Sequence, residues 1–211
     1  MPDLAKQRIR SKFEAFVLDA GQATMHKSHG EAKTAAIGAM RGTIVELGPG
    51  TGANMRYYAP GVKVIGIEPN PVMHDRLRAK ARDHDVDLEI RTLRGEAIDV
   101  ADESADAVVA TLVLCGVDDA ARVLSEVRRV LRPGGTYFFV EHVAAPVGTG
   151  TRRAQELLLR PHRWLFNGCE VNRDTTNVVR AAGFSEVHVD EIDTGMRGGH
   201  IRHFIRGTAT K

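Results

Sequence analysis

Short apolar segments that alternate with helical segments constrain this chain more than any other feature of its sequence. Five such segments occur between residues 43 and 143, and they read TIVEL, VKVIGI, DLEIRTL, DAVVATLVL and TYFFVEHV. Helices are expected between them, near residues 53–59, 71–83 and 118–131. Strands without clear apolar–polar alternation, separated by helices, predict a doubly wound α/β fold in which a mostly parallel sheet carries helices on both faces.

The segment after residue 143 completes the expected sheet. A helical region near residues 152–182 precedes SEVHVDEI and HIRHFIRGT, whose alternation on either side of DTGMRGG predicts a hairpin. This hairpin would bring the sheet to seven strands and add one antiparallel strand to it.

The N-terminal residues are expected to lie outside the sheet. Residues 3 to about 20 predict an amphipathic helix. Its apolar side would consist of Leu4, Ile9, Phe13, Phe16 and Val17. The polar stretch QATMHKSHGE that follows predicts a loop or lid. We therefore divide the chain into a helix and lid at 1–39 and one α/β domain at 40–211.

Composition favours a reduced intracellular protein. Of the 211 residues 43% are hydrophobic and 27% charged, and the net charge of +2 gives no reason to expect a nucleic-acid partner. Cys115 and Cys169 share no short spacing, so we expect neither a metal site nor a disulfide and interpret both as small buried residues. No signal-peptide pattern and no run of about 18 apolar residues occurs, which predicts a cytoplasmic location without an integral membrane segment.

The stretch TIVELGPGTGANM places Gly48, Gly50 and Gly52 directly after the first strand. Glycines at this spacing bring backbone close to a ligand, and alone they fit a dinucleotide-binding turn as well as a sulfonium-binding one. No G-K-[ST] follows, which excludes a phosphate loop. Glu46, before the first glycine, disfavours a pyrophosphate and suits an ammonium group. Glu68, at the end of the second strand, is placed to accept hydrogen bonds from ribose hydroxyls.

A third acidic residue, Glu96 in RGEAIDV, follows the third strand and could meet the exocyclic amine of an adenine. A ligand with an amino-acid end, a ribose and an adenine, but no phosphate, fits S-adenosylmethionine. The motifs VELGPGTG, GIEPNP, GEA and VLRPGGTYFFVEH resemble those of class I S-adenosylmethionine-dependent methyltransferases, whose fold is Rossmann-like.

This resemblance implies a set of cofactor-binding residues. The methionine part would lie against the glycine turn, the ribose against the acidic turn, the adenine beside GEA, and the sulfonium near the end of the fourth strand. In that order the residues are Glu46, Gly48, Pro49, Gly50, Thr51, Gly52 and Asn54; Glu68, Pro69 and Asn70; Gly95, Glu96 and Ala97; and Thr111 and Leu112.

The second half of the chain narrows the resemblance. EHVAAP, RWLFNGCEVNRDT, AAGFSEV and GHIRHFIRGTA resemble a small subgroup that includes the mammalian methyltransferase-like alkyl thiol methyltransferases. This implies a thiol S-methyltransferase, in which in-line displacement transfers the methyl group to a thiolate. The mammalian members begin with a hydrophobic membrane segment, whereas this chain begins with charged residues. It also carries FEAFVLDAG where many bacterial relatives have an aromatic-Tyr-Asp element.

Signals for the acceptor side are histidines and aromatic residues near the expected sheet edge. A thiol with a pKa of about 8.5 needs little help to ionise, so a nearby base is sufficient and no metal is expected. His142, which ends the fifth strand, is the candidate base or acceptor contact because histidine titrates near neutrality. The other candidate substrate contacts are His26, His29, Trp164, Cys169 and His200.

Alternatives to a thiol acceptor remain. The acceptor could be a nitrogen or oxygen of a phospholipid headgroup or of a quinone-like or natural-product metabolite. A peripheral membrane contact would then involve the basic cluster Arg152, Arg153, Arg160 and Arg163, for which a solvated helix face is the simpler interpretation. The chain could also be a catalytically inactive cofactor-binding protein, whereas Glu46 disfavours a nicotinamide-dependent oxidoreductase.

Overall fold

A seven-stranded sheet organises the residues that the computed structural model describes, which are 4–166, 168–195 and 199–211; the side chains of 4–15, 17 and 18 lie outside that description. The strands are β1 (Thr43–Leu47), β2 (Lys63–Ile67), β3 (Asp87–Arg91), β4 (Ala105–Thr111), β5 (Leu131–His142), β6 (Glu186–Asp193) and β7 (His203–Thr210). Their order is β3-β2-β1-β4-β5-β7-β6, and β7 runs antiparallel to both of its neighbours. The predicted doubly wound sheet with one antiparallel strand is confirmed.

Helices cover both faces of this sheet, as predicted. Those of the described residues are α1 (Leu4–Gly38), α2 (Pro71–Asp83), α3 (Ala120–Val130), α4 (Gly150–Leu165) and α5 (Thr175–Ala181). Val123 of α3 and Val179 of α5 belong to one apolar core, together with Val45 of β1. Ile37 of α1 and Leu77 of α2 belong to a second core on the opposite face.

Local sequence sets where two of these helices begin. Pro71 is the first residue of α2, and the side chain of Asn70 accepts a hydrogen bond from the Val72 amide over 3.1 Å. The carboxylate of Asp119 accepts in the same way from the Arg122 amide at the start of α3. Both are preferred residue types for a helix start. The helices predicted near 71–83 and 118–131 are confirmed.

The largest departure from expectation lies at residues 21–38. We predicted a loop or lid at 22–31, but α1 continues through those residues to Gly38, so the loop prediction is wrong. His29, Lys33 and Ile37 recur every fourth residue and are all buried. Packing of this face stabilises a helix that its polar sequence does not indicate. The chain division at residue 39 is not tested by this difference and stays a prediction.

Smaller differences concern element boundaries. The helix expected at 53–59 is a single 3-10 turn, Met55–Tyr57, and the helical region 152–182 is divided into α4 and α5. The expected turn LRPGG is the start of β5, where the pairing with β4 shifts register. The last strand begins at His203, whereas we expected it to begin at His200, which lies in a 3-10 turn.

The topology determines where a ligand can bind. β1 lies between β2 and β4 in the sheet. From β1 the chain adds β2 and β3 on one side and then crosses to add β4 and β5 on the other side, so the winding reverses between β1 and β4. In open parallel sheets of this kind, ligands bind outside the carboxyl ends of the strands at the point where the winding reverses. The turn after β1 and the residues after β2, β4 and β5 meet at that edge.

Candidate active site

The turn after β1 requires glycine for conformational and steric reasons. The φ angles of Gly48, Gly50 and Gly52 are +55°, +54° and +87°, in the region that other residues enter at a cost. A Cβ on Gly48 would lie 2.8 Å from a methyl group of Val113, and one on Gly52 would lie 2.9 Å from Cβ of Lys80. The turn is therefore tightly packed against the loop after β4 and against α2.

An acidic and a basic side chain, both buried, contact the same side-chain amide beside this turn. The Glu46 carboxylate accepts hydrogen bonds from Nδ2 of Asn54 and from the Tyr58 hydroxyl, each over 2.8 Å. The Lys33 amine donates to Oδ1 of the same Asn54 over 3.0 Å. Burial raises the pKa of Glu46 to about 7 and lowers that of Lys33 to about 8. The pair matches the opposite charges of a zwitterionic amino acid.

Glu68 is held by backbone amides at the end of β2. One carboxylate oxygen accepts from the Gly50 amide over 2.9 Å, and the other accepts from the Asn70 amide over 2.8 Å. The residue is buried, and burial raises the pKa of its carboxyl while the amide hydrogen bonds oppose that rise. These bonds fix the carboxylate beside the glycine turn, at the place where a ribose is held in related folds.

The loop after β3 presents a second acidic group. Oε1 of Glu96 accepts from the Asp118 amide over 3.2 Å. Oε2 is buried without a hydrogen bond among the described residues and lies 3.5 Å from Nε of Arg94. Gly95 lies against Val123, while Ala97 is exposed. Glu96 thus keeps an acceptor atom available, as an adenine amine would require.

The end of β4 carries backbone strain. Leu112 has a φ of +60°, which is costly for a residue with a branched side chain, and its amide donates to the Val140 carbonyl over 2.8 Å. Such strain concentrates at functional sites. The adjacent Thr111 hydroxyl accepts from Nδ2 of Asn54 over 3.0 Å, which connects the end of β4 to the Glu46 group.

Two of the predicted acceptor histidines lie together. The rings of His29 and His142 contact the same buried ring, Phe204, with centroid distances of 5.0 and 4.6 Å. His29 is 1% exposed, and neither of its ring nitrogens has a hydrogen-bond partner within the described part of the chain. Burial is the main cause that lowers the pKa of His29 to about 4. The imidazole therefore remains neutral at physiological pH.

The two cysteines are buried, as predicted, but they are not isolated. Their sulfur atoms lie 3.4 Å apart, and Nδ1 of His142 lies 3.9 Å from Cys115 Sγ and 3.8 Å from Cys169 Sγ. The contact between the thiols lowers the pKa of Cys169, with His142 acting in the same direction, and raises that of Cys115. The sequence spacing gave no indication of this cluster, which the fold assembles from three separate segments.

The remaining predicted contacts lie elsewhere. His26 is exposed, and its Nδ1 lies 2.8 Å from the Tyr57 hydroxyl. Trp164 is 73% exposed on α4, so it does not wall a buried pocket in this conformation. Nε2 of His200 lies 3.2 Å from Nδ1 of the buried His162. Of these three residues, His200 is the one that contacts a neighbour of the cysteine cluster, namely His162.

The basic cluster on α4 is partly neutralised. Arg152 pairs with Glu156 over 2.7 Å and Arg163 with Glu170 over 2.8 Å, while Arg153 and Arg160 are exposed. Among the described residues, none of the helices combines the length and apolar character that spanning a bilayer requires.

Sequence reasoning missed two buried polar residues besides His162. Lys33 would have been indicated by its spacing of four from His29 and from Ile37, had the segment been read as a helix. Glu141 precedes His142 in the quoted motif, and its carboxylate accepts from the amides of Val113 over 2.9 Å and Cys115 over 3.3 Å. Burial raises the pKa of Glu141 to about 7.

These groups together fit S-adenosylmethionine. The Glu46 and Lys33 charges suit its amino-acid end, the fixed carboxylate of Glu68 suits vicinal hydroxyls, and Oε2 of Glu96 lacks a hydrogen bond in the described structure. All three groups follow or adjoin the carboxyl ends of neighbouring strands, in the order β1, β2 and β3.

Comparison with known proteins agrees with this geometry. The model of a methyltransferase domain family matches residues 45–139. Human thiol S-methyltransferase TMT1A is 39% identical over 172 residues, which cover 80% of this chain and 70% of that protein. Rat thiol S-methyltransferase TMT1B is 41% identical over 172 residues, with the same coverage of each chain.

A solved structure supports the fold. The crystal structure of an S-adenosylmethionine-dependent methyltransferase from Thermotoga maritima, described as a possible histamine N-methyltransferase, superposes with a TM-score of 0.64. The alignment covers 94% of this chain and 98% of that one at 23% identity. At this identity the match supports the fold alone.

Proposed function

Because this chain belongs to the S-adenosylmethionine-dependent methyltransferases, we propose that it transfers a methyl group to the sulfur of a small thiol. The observation that carries the choice of acceptor is the similarity to thiol S-methyltransferases over 172 residues, which extends well beyond the methyltransferase domain match at 45–139. The similarity therefore includes segments outside the cofactor motifs, where selectivity for the acceptor is expected to reside.

We assign the amino-acid end of the cofactor to the group around Asn54. The ionised form of Glu46 would attract the ammonium group and that of Lys33 the carboxylate, because these forms have opposite charges and the two side chains lie on either side of one amide. Pro49, Gly50 and Thr51 would contact the methionine part through the turn. When bound, S-adenosylmethionine supplies a methyl group that its sulfonium has already activated.

We assign the nucleoside end to the next two strand ends. Glu68 would accept hydrogen bonds from both ribose hydroxyls, with Pro69 and Asn70 forming the turn beside it. Glu96 would accept a hydrogen bond from the adenine amine through Oε2, between Gly95 and Ala97. Thr111 and Leu112 would then lie nearest the reacting methyl group.

The acceptor is assigned to the edge of β5. His29, His142 and Phe204 offer aromatic rings of limited exposure, which suit the apolar body of a small thiol. A thiol with a pKa of about 8.5 loses its proton far more readily than an alcohol. Alignment of donor and acceptor, together with exclusion of water, can supply about 7–11 kcal/mol of the barrier. His142 contributes by contacting the acceptor or by favouring its thiolate.

Helix α1 is the element we expect to exclude water. Nε2 of Gln22 donates to the Thr51 hydroxyl over 3.1 Å, and His26 contacts Tyr57, so the helix crosses the glycine turn and the 3-10 turn after it. An ion pair of 2.6 Å between Asp19 and Arg76 joins its N-terminal half to α2. We therefore assign to α1 the covering of the site, which we had expected a loop to provide.

A phospholipid amine is the second candidate acceptor. Leu157 is 81% exposed on α4, near the exposed Arg153 and Arg160, and Trp164 is exposed on the same helix. An apolar surface next to arginines suits an anionic lipid surface, where each basic residue contributes about 1 kcal/mol. This arrangement favours a peripheral membrane contact and bears less directly on which atom is methylated.

An acceptor screen tests the proposal. The protein is incubated with cofactor labelled in the methyl group and, separately, with small monothiols, a dithiol, a phenol and phosphatidylethanolamine vesicles. We expect label in the thiol products. Label only in the lipid or the phenol would contradict a thiol acceptor, and cofactor binding without any transfer would indicate an inactive binding protein.

A further inference from the structure

A sulfur–sulfur–nitrogen triangle lies at the carboxyl edge of β4 and β5. Its corners are Sγ of Cys115, Sγ of Cys169 and Nδ1 of His142, and its sides measure 3.4, 3.8 and 3.9 Å. These three ligand atoms form a group in which all lie within 4.8 Å of one another. Thiolate and imidazole are the ligand types that zinc selects in proteins.

The dimensions of this triangle match a zinc coordination sphere. With bonds of about 2.3 Å to sulfur and about 2.0–2.1 Å to nitrogen, tetrahedral zinc separates two sulfur ligands by about 3.8 Å and sulfur from nitrogen by about 3.5 Å. Each observed side differs from these values by a few tenths of an ångström. Small side-chain rotations would therefore complete the site without backbone movement.

The fold holds the ligands from outside the triangle. The Glu141 carboxylate accepts from the Cys115 amide over 3.3 Å, and the Cys115 carbonyl accepts from the Glu170 amide over 2.7 Å, next to Cys169. The guanidinium of Arg173 donates to the carbonyl of Leu114 over 2.6 Å. These hydrogen bonds fix the backbone that carries Cys115 and the segment next to Cys169.

The surroundings also require a counterion once the thiols ionise. Val171, Phe166 and Ile201 pack against the two cysteines, so this part of the site is apolar. A divalent cation would neutralise two buried thiolates, whereas unpaired charges there would be costly. The ring of His162 is also buried, and its Nε2 has no hydrogen-bond partner among the described residues. A purely apolar pocket does not account for this second imidazole.

We propose that Cys115, Cys169 and His142 bind one zinc ion per chain through Sγ, Sγ and Nδ1. Three protein ligands leave one position of the tetrahedron open, which is the arrangement of zinc sites that bind a reactant. A thiol in that position would be held as a thiolate. The binding of a thiolate to zinc rests on the proposed function, whereas zinc binding itself does not. In the zinc-bound protein His142 would be a metal ligand and not a free base.

Zinc binding can be measured without any methylation assay. The full chain is reduced, stripped with a chelator and titrated with Zn²⁺ in competition with a chromophoric chelator. We expect one equivalent to bind. Replacement by Co²⁺ should give the near-ultraviolet absorption of thiolate-to-cobalt charge transfer. Zn²⁺ should also slow the alkylation of both cysteines by a maleimide, a readout that needs no variant.

Single-ligand variants locate the site. C115S, C169S and H142A should each weaken zinc binding by more than the ten- to hundredfold that loss of an outer-shell partner costs. H188A, at an exposed histidine on β6, is the control and should bind zinc like the wild type. Calorimetry with S-adenosylhomocysteine checks that each variant is folded. Sub-stoichiometric zinc in the wild type, no thiolate absorption with Co²⁺, or unchanged affinity in all three variants would overturn the proposal. A failure of methyl transfer would leave these results unaffected.

Discussion

The Glu68 carboxylate accepts a hydrogen bond from the backbone amide of Gly50 over 2.9 Å. This bond joins the end of β2 to the glycine turn after β1, at the edge where the winding of the sheet reverses. It connects the two motifs on which the assignment of the cofactor depends. The carboxylate is thereby positioned before a ribose arrives, and a preorganised group binds with a smaller entropic cost.

Removal of the Glu68 carboxylate should weaken cofactor binding. Each hydrogen bond to a charged group contributes about 1.5–3 kcal/mol, so E68A should lower affinity for S-adenosylhomocysteine on the order of tenfold to hundredfold per lost bond. Calorimetry measures this, with E89A on the exposed face of β3 as the control. Equal affinity for E68A and the wild type would show that the ribose lies elsewhere.

An added methyl group at Gly48 should damage both stability and binding. A non-glycine residue in the left-handed region costs about 1–2 kcal/mol, and a Cβ here would also overlap Val113. G61A is the matched control, because Gly61 has a φ of +73° but open space around it. We expect thermal unfolding to show a loss in both variants, and calorimetry to show weakened binding in G48A alone.

The Glu46 carboxyl should make stability depend on pH. Its pKa is raised from 4.5 to about 7, chiefly by burial, so the folded protein retains a proton that the unfolded chain releases. This contribution to the free energy of unfolding is fully present below pH 4.5 and is lost as pH rises to about 7.

Relative to E46Q, the wild type should therefore lose up to about 3 kcal/mol across that range. Denaturant unfolding at a series of pH values measures the difference, and E89Q provides the control for an exposed carboxylate. Parallel pH profiles for the wild type and E46Q would mean that Glu46 titrates normally.

His29 should affect the acceptor more than the cofactor. Its ring contacts Phe204 beside His142 and is far more buried than the exposed Lys27 on the same helix. H29L should raise KM for a thiol while leaving the affinity for S-adenosylhomocysteine unchanged, and K27A should change neither. Steady-state kinetics and calorimetry separate the two effects. A loss of cofactor affinity in H29L with an unaltered KM would remove His29 from the acceptor site.

The features that the sequence predicted correctly depend on residues that are close along the chain. The glycine turn follows its strand directly, Asn70 and Pro71 mark the start of α2, and apolar runs reveal strands that are buried on both faces. Each signal is local, so one sequence is sufficient to read it. The position of Glu68 directly after β2 is readable for the same reason, since the residue lies within the motif GIEPNP.

The features that the sequence did not predict depend on contacts between distant segments. Cys115 and Cys169 are 54 residues apart and meet only because the loop after β4 approaches the segment after α4. The helical state of residues 21–38 likewise depends on burial of Ile37 in the core on one face of the sheet and of Lys33 beside Asn54. Periodicity in a polar segment is weak evidence until such a partner surface is known.

The most direct test of the proposed function is the methylation of a molecule that offers both sulfur and nitrogen. The wild type is incubated with S-adenosylmethionine and 2-aminoethanethiol, with E68A as the control for background transfer, and mass spectrometry with fragmentation identifies the methylated atom. We expect the S-methyl product from the wild type, because the thiolate forms more readily near neutral pH than the free amine. An N-methyl product without S-methylation would contradict a thiol S-methyltransferase.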